Sequence, residues 1–186
     1  MKFREISNFF SFVIFLTLLT SATFAHASLE GHTINYSYIV PNIDTVYEEG
    51  AYFVPVDGVT ISNIAGTYNT ITILGNSLVV NYPIVVGPEM VSWLDAPFNG
   101  FKINAPDYIF SSFRLLSNTA LVDNPEFFFD AHNLYVNWNG IFWSANGGKI
   151  TFAINTSAVP EAEAYILTLT GLGLIGLLHR RRKKVN

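Results

Sequence analysis

VTISNIAGTYNTITILGNSLVVNY, residues 59–82, decides the fold class. Ile71, Ile73, Leu78 and Val80 alternate with Thr70, Thr72, Ser77 and Asn81, so each segment has one apolar and one polar face. That period of two belongs to half-buried strands. Gly75-Asn76 between the segments is a pair that accepts the positive φ of a tight hairpin turn, and Ala65-Gly66 separates an earlier run, Val59–Ile64, in the same manner. Three strands, Val59–Ile64, Tyr68–Leu74 and Ser77–Tyr82, are therefore expected to form a meander.

Working towards the N-terminus, Asp57-Gly58 marks another turn, preceded by a strand over Gly50–Val56. Before it, His32–Val40 sets Ile34, Tyr36 and Tyr38 against Thr33, Asn35 and Ser37 and is ended by Pro41-Asn42. Towards the C-terminus the habit repeats with heavier side chains in Phe98–Asn104, Ser111–Ser117, Glu126–Asp130, Leu134–Asn137, Ile141–Ser144 and Lys149–Asn155. Phe127-Phe128-Phe129 is apolar on both faces, which is expected of a strand buried on both sides or lying at an interface. No helical period persists through this region. Many short strands at spacings of roughly ten residues indicate an all-β, antiparallel two-sheet β-sandwich over residues 28–157.

Both flanks have different chemistry. Residues 1–27 carry Lys2 and Arg4, then an apolar stretch from Phe9 to Leu19, then Ala25-His26-Ala27. This is the layout of a secretory signal peptide cut after Ala27, with Ala25 and Ala27 as the small residues the peptidase requires. Residues 158–186 form a tail: a linker through Pro160-Glu161, the apolar segment Ala164–Leu178, and His179-Arg180-Arg181-Arg182-Lys183-Lys184. At ~1.5 Å per residue such a helix is short for a ~30 Å hydrocarbon core, which makes it a marginal transmembrane helix. The cations beyond it place the C-terminus in the cytoplasm and the domain outside.

Charge narrows the partners. Between the flanks, Lys102, Arg114 and Lys149 face eleven carboxylates, a net of 3 − 11 = −8, so nucleic acid is excluded as a partner. Without cysteine the exported domain holds together by packing rather than disulfides.

Candidate chemistry is sparse. His32 and His132 are the histidines of the middle region; a hydrolase would need one of them beside a serine and a carboxylate, and no Gly-x-Ser-x-Gly elbow accompanies them. Asp123, Asn124, Glu126 and Asp130 lie close together and offer the hard oxygens calcium takes, but they lack an Asp-x-Asp-x-Asp-Gly loop and read as turn caps. No catalytic residue, metal or cofactor is assigned. Tyr135, Trp138 and Trp143, with Trp93, are the candidates for glycan contact, their rings stacking on sugar while Asn137 and Asn139 supply hydrogen bonds; in a sandwich, alternating Trp and Tyr are more often core.

The tail resembles the PEP-CTERM sorting signal of Gram-negative bacteria, on Pro160-Glu161-Ala162, the Gly- and Leu-rich Gly171–Leu178 and Arg180-Arg181-Arg182. Ala162 stands where that pattern usually has a second proline. The resemblance implies transient anchoring in the inner membrane, cleavage near Pro160-Glu161 by exosortase, and transfer to the cell surface or the medium, often alongside exopolysaccharide. The middle region is similar to secreted domains of unassigned activity, most distinctively over Phe129-Asp130-Ala131-His132-Asn133-Leu134-Tyr135-Val136-Asn137-Trp138-Asn139-Gly140. The leading expectation is a non-enzymatic extracellular or surface protein associated with exopolysaccharide or envelope, with signal peptidase and exosortase as its processing partners. A carbohydrate-binding module is second and a secreted hydrolase third.

Overall fold

The computed structural model describes residues 28–84, 90–158 and 170–172. The described chain is mostly β. Twelve strands are β1 Thr33–Ile39, β2 Val46–Phe53, β3 Val59–Ser62, β4 Thr70–Ile73, β5 Ser77–Tyr82, β6 Met90–Ser92, β7 Gly100–Asn104, β8 Tyr108–Asn118, β9 Glu126–Phe129, β10 Asn133–Asn137, β11 Phe142–Ser144 and β12 Gly148–Ala158. They form a first five-stranded sheet in the order β2-β1-β7-β10-β9, a second in the order β3-β4-β5-β12-β8, and a short β11-β6 pair. Every pairing is antiparallel.

Period-two patterning produces the core directly. In β5, Leu78, Val80 and Tyr82 are buried while Ser77, Val79 and Asn81 are half-buried. These residues join Ile71, Ile73, Ile150 and Phe152 of the second sheet and Ile34, Tyr36, Phe101, Ile103, Leu134 and Val136 of the first in one buried cluster. Rings bridge the sheets: Phe127 of β9 lies 5.6 Å from Phe113 of β8 and 5.4 Å from Phe152 of β12. Two large antiparallel sheets contributing to one core are compatible with the expected sandwich.

Several boundaries differ from the sequence reading. β2 begins at Val46 and stops before Pro55, which has no N–H to donate to a ladder; its alternate residues Val46 and Phe53 are exposed because it lies at a sheet edge. β6 was not foreseen, being three residues long and held by β11. β8 and β12 extend past their expected ends as mutual partners, with register shifts at Thr151/Phe152 and Asn155/Thr156. The Ala65-Gly66 turn includes a 3-10 turn over Ile64–Gly66, where Asn63 and Ala65 have left-handed φ values of 61° and 51°. The Phe127-Phe128-Phe129 strand is not buried on both sides: β9 ends its sheet, leaving Phe128 37% and Phe129 41% exposed.

Of the expected membrane helix, residues 170–172 are helical and the rest lies outside the described residues. Among the described residues no helix is long and apolar enough to cross a membrane.

Candidate functional site

The indoles nominated for glycan contact sit in the core. Trp138 is 0% exposed, Trp143 5% and Trp93 7%, and Trp93 stacks on Trp138 with ring centres 4.8 Å apart. Trp138 Nε1 donates to the Tyr38 hydroxyl at 3.1 Å, which donates onward to Asn99 Oδ1 at 2.5 Å. Asn137 Oδ1 accepts the backbone N–H groups of Asn99 and Asn139, and Asn139 Oδ1 accepts that of Ala96 at 2.6 Å. Trp138 and Trp143 therefore cannot offer a ring face to a sugar. The expectation of a tryptophan platform is corrected to a core cluster: Trp138 lies just past the end of β10 and Trp143 at the middle of β11, and both pack against Tyr82 and Trp93. Burial also raises the Tyr38 hydroxyl well above the usual tyrosine range, despite the indole N–H that favours its anion.

Tyr135 is the nominated residue that reaches the surface, and it does so in company that the sequence did not reveal. Its cross-strand partner on β9 is Phe128. The rings stack at 4.7 Å and 15°, on the face of the first sheet turned away from the core. Glu126 and Asp130 flank Phe128 along the chain by two residues each, a separation that returns side chains to the same face of an extended chain. Asn137 Nδ2 donates to Glu126 Oε2 at 3.2 Å, while Asn133 Nδ2 donates to Asp130 Oδ1 and Oδ2 at 2.9 and 3.0 Å. The result is an aromatic pair between two carboxylates, each held from behind by an asparagine on β10.

Asp130 organises the hairpin end of this array. Its Oδ1 also accepts the backbone N–H groups of His132 and Asn133, both at 2.9 Å, and its Oδ2 accepts the Tyr135 hydroxyl at 3.3 Å. Partial desolvation pushes the Asp130 carboxyl up, but these hydrogen bonds outweigh it and hold it below the usual carboxylate value. Tyr135 moves up, first through burial and then through the neighbouring Asp130 charge. The polar row continues inward across the sheet: Asn104 Nδ2 donates to Asn133 Oδ1 at 3.0 Å and Asn35 Nδ2 to Asn104 Oδ1 at 3.3 Å. Lys102 of β7 stands opposite Tyr135 on the side away from β9. Such a ladder pre-orients donors and acceptors on one face of the sheet.

Elsewhere the nominated groups do not assemble. His32 Nδ1 lies 3.9 Å from Asp107 Oδ2, with both side chains largely in solvent. His132 Nδ1 is 2.7 Å from the Tyr108 carbonyl oxygen, as befits a turn residue. Asn118 Nδ2 donates to the Asp123 carbonyl and to Asn124 Oδ1, both at 3.1 Å, which ties that part of the acidic stretch into a turn. Among the described residues no three His, Asp or Glu side chains gather as a metal site would need. A cleft of about 220 Å³ lined by Tyr38, Val40, Tyr47, Ala65, Trp93, Leu94 and Asn99 opens at one end; the Tyr38 hydroxyl and the Asn99 amide on its wall are engaged with protein partners. The signal-cleavage residues Ala25 and Ala27 and the sorting residues Pro160, Glu161, Arg180, Arg181 and Arg182 lie outside the described residues.

Compared with protein-family models, curated proteins and solved structures, the chain matches none.

Proposed function

We propose that this chain is an exported protein of the cell surface or extracellular matrix. Its β-sandwich meets polysaccharide through the outer face of the first sheet and catalyses no reaction. The observation that carries this reading is the exposed Phe128–Tyr135 stack with its braced carboxylates and asparagine row. Aromatic rings pack the C–H faces of sugars, and fixed amides and carboxylates meet their hydroxyls.

Delivery to that location follows the itinerary written in the flanks. The signal peptide ends at Ala27; the tail from Pro160-Glu161 through Arg180-Arg181-Arg182 holds the chain at the inner membrane until exosortase cuts it. The domain is then displayed or released beside the exopolysaccharide of a Gram-negative cell. A domain of net charge −8 stays soluble there and avoids nucleic acid. Co-sedimentation with the producer's own polysaccharide tests the binding half of the reading. Wild type pellets with the polymer and Phe128→Ala stays in solution; equal pelleting of the two proteins overturns it.

A further inference from the structure

Resting on that reading, we propose that the Glu126–Phe128–Asp130 edge of the face selects glycans bearing free amino groups, such as de-N-acetylated hexosamine polymers, over uronic acid polymers. Two carboxylates flank a single exposed ring, and their geometry suits an ammonium on a sugar better than an anion. Asn137 holds one oxygen of Glu126 at 3.2 Å. Asp130 receives the His132 and Asn133 backbone N–H groups, the Asn133 amide on both oxygens and the Tyr135 hydroxyl, and these bonds together hold its carboxyl low, so that it remains ionised at neutral pH.

The chemistry combines three weak terms. A carboxylate pairs with a protonated amine; the face of an aromatic ring attracts the same cation; the ring also buries the apolar side of the sugar. Of the other charged groups in register on the face, Glu49 supports this preference and Lys102 opposes it from one strand further back. Lys102 stands behind Tyr135 on β7, on the side away from the β9 edge, and Glu49 lies beyond it, across Ser37 of β1. The surrounding domain, with three cations against eleven anions, draws in cationic polymers and repels polyuronates at low salt.

Binding of the full chain to three defined oligosaccharides distinguishes this selectivity from the broader reading. The probes are an oligomer of glucosamine, a neutral β-glucan oligomer and an oligogalacturonate, all at about pH 6, where amines remain protonated. The glucosamine oligomer binds most tightly, by about two- to fivefold per carboxylate engaged, and its advantage shrinks as salt is raised. Glu126→Gln keeps an acceptor for Asn137 but loses the charge, so it lowers glucosamine binding by that factor and neutral-glucan binding by less, which narrows the ratio between the two. Phe128→Ala abolishes both. Equal affinity for the amino and neutral oligomers, or preference for the uronate, overturns the selectivity while leaving glycan contact standing. Failure of the wild type to bind any of the three sinks both.

Discussion

Glu48 accepts the backbone N–H of Ala65 at 3.0 Å, which ties an edge strand of one sheet to a turn beside the other. The same oxygen accepts the Tyr36 hydroxyl at 2.9 Å, so one half-buried carboxylate satisfies two donors that would otherwise be lost to solvent-poor surroundings. Ala65 holds this position in a left-handed conformation, φ 51°, one that costs an L-residue about 1–2 kcal/mol.

Glu48→Ala therefore leaves two donors without an acceptor and destabilises by about 2 kcal/mol. Glu48→Gln, which keeps an oxygen, loses less, and Ala65→Gly gains about 1 kcal/mol by relieving the backbone. Urea denaturation midpoints rank the three. A Glu48→Ala protein as stable as wild type contradicts the tie.

Trp138→Ala removes the centre of the indole cluster and costs about 3–5 kcal/mol, as large aromatic truncations in cores do. Trp138→Phe costs less, retaining most of the ring volume but leaving the Tyr38 hydroxyl without its donor. The measurement is again unfolding free energy, paired with near-ultraviolet circular dichroism. A Trp138→Ala variant that stays fully stable yet loses glycan binding returns that indole to the surface.

The contrast between Trp138 and Phe128 shows what was legible in the sequence. The β4–β5 hairpin was readable because its alternation and its Gly75-Asn76 turn agree, and one face is wholly buried. Alternation also fixes that Tyr135 and Asn137 share a face opposite Leu134 and Val136. It does not say which strand ends a sheet, and that tertiary fact turns Phe128 outward. The Trp138 ring lies just past the end of β10, where strand periodicity no longer governs direction. β2 starts at Val46 rather than at the expected Gly50 for a related reason: Glu48 has partners on other elements, Tyr36 and Ala65, that alternation does not reveal.

Alkali has a defined effect. Burial is the main cause raising Tyr36, Tyr38 and Tyr82 above the ordinary tyrosine value, with the Glu48 charge adding to Tyr36. Each group keeps its proton in the folded state above about pH 10, where the unfolded chain gives it up. Their contribution to stability is whole below that pH and is lost as pH rises through and beyond it. Ultraviolet titration of the nine tyrosines shows a fraction that ionises only with unfolding. A single transition near pH 10 for all nine, with the fold intact, contradicts the burial.

Processing leaves a mass. On the proposed itinerary, protein recovered from the producer is expected to begin at Ser28 and to lack Arg180, Arg181 and Arg182, and replacing those three arginines by Ser is expected to leave maturation incomplete. Intact-mass spectrometry reads both. A secreted form still carrying residues 180–186 contradicts the sorting itinerary.

Glycan contact on the outer face is tested most directly by titrating a glucosamine oligomer into the isotope-labelled protein and following amide and aromatic resonances. Shifts concentrated on Glu126, Phe128, Asp130, Asn133 and Tyr135, with the Trp93, Trp138 and Trp143 indoles unmoved, are the result expected. Shifts centred on the Tyr47 and Leu94 cleft, or none at a saturating concentration, contradict it.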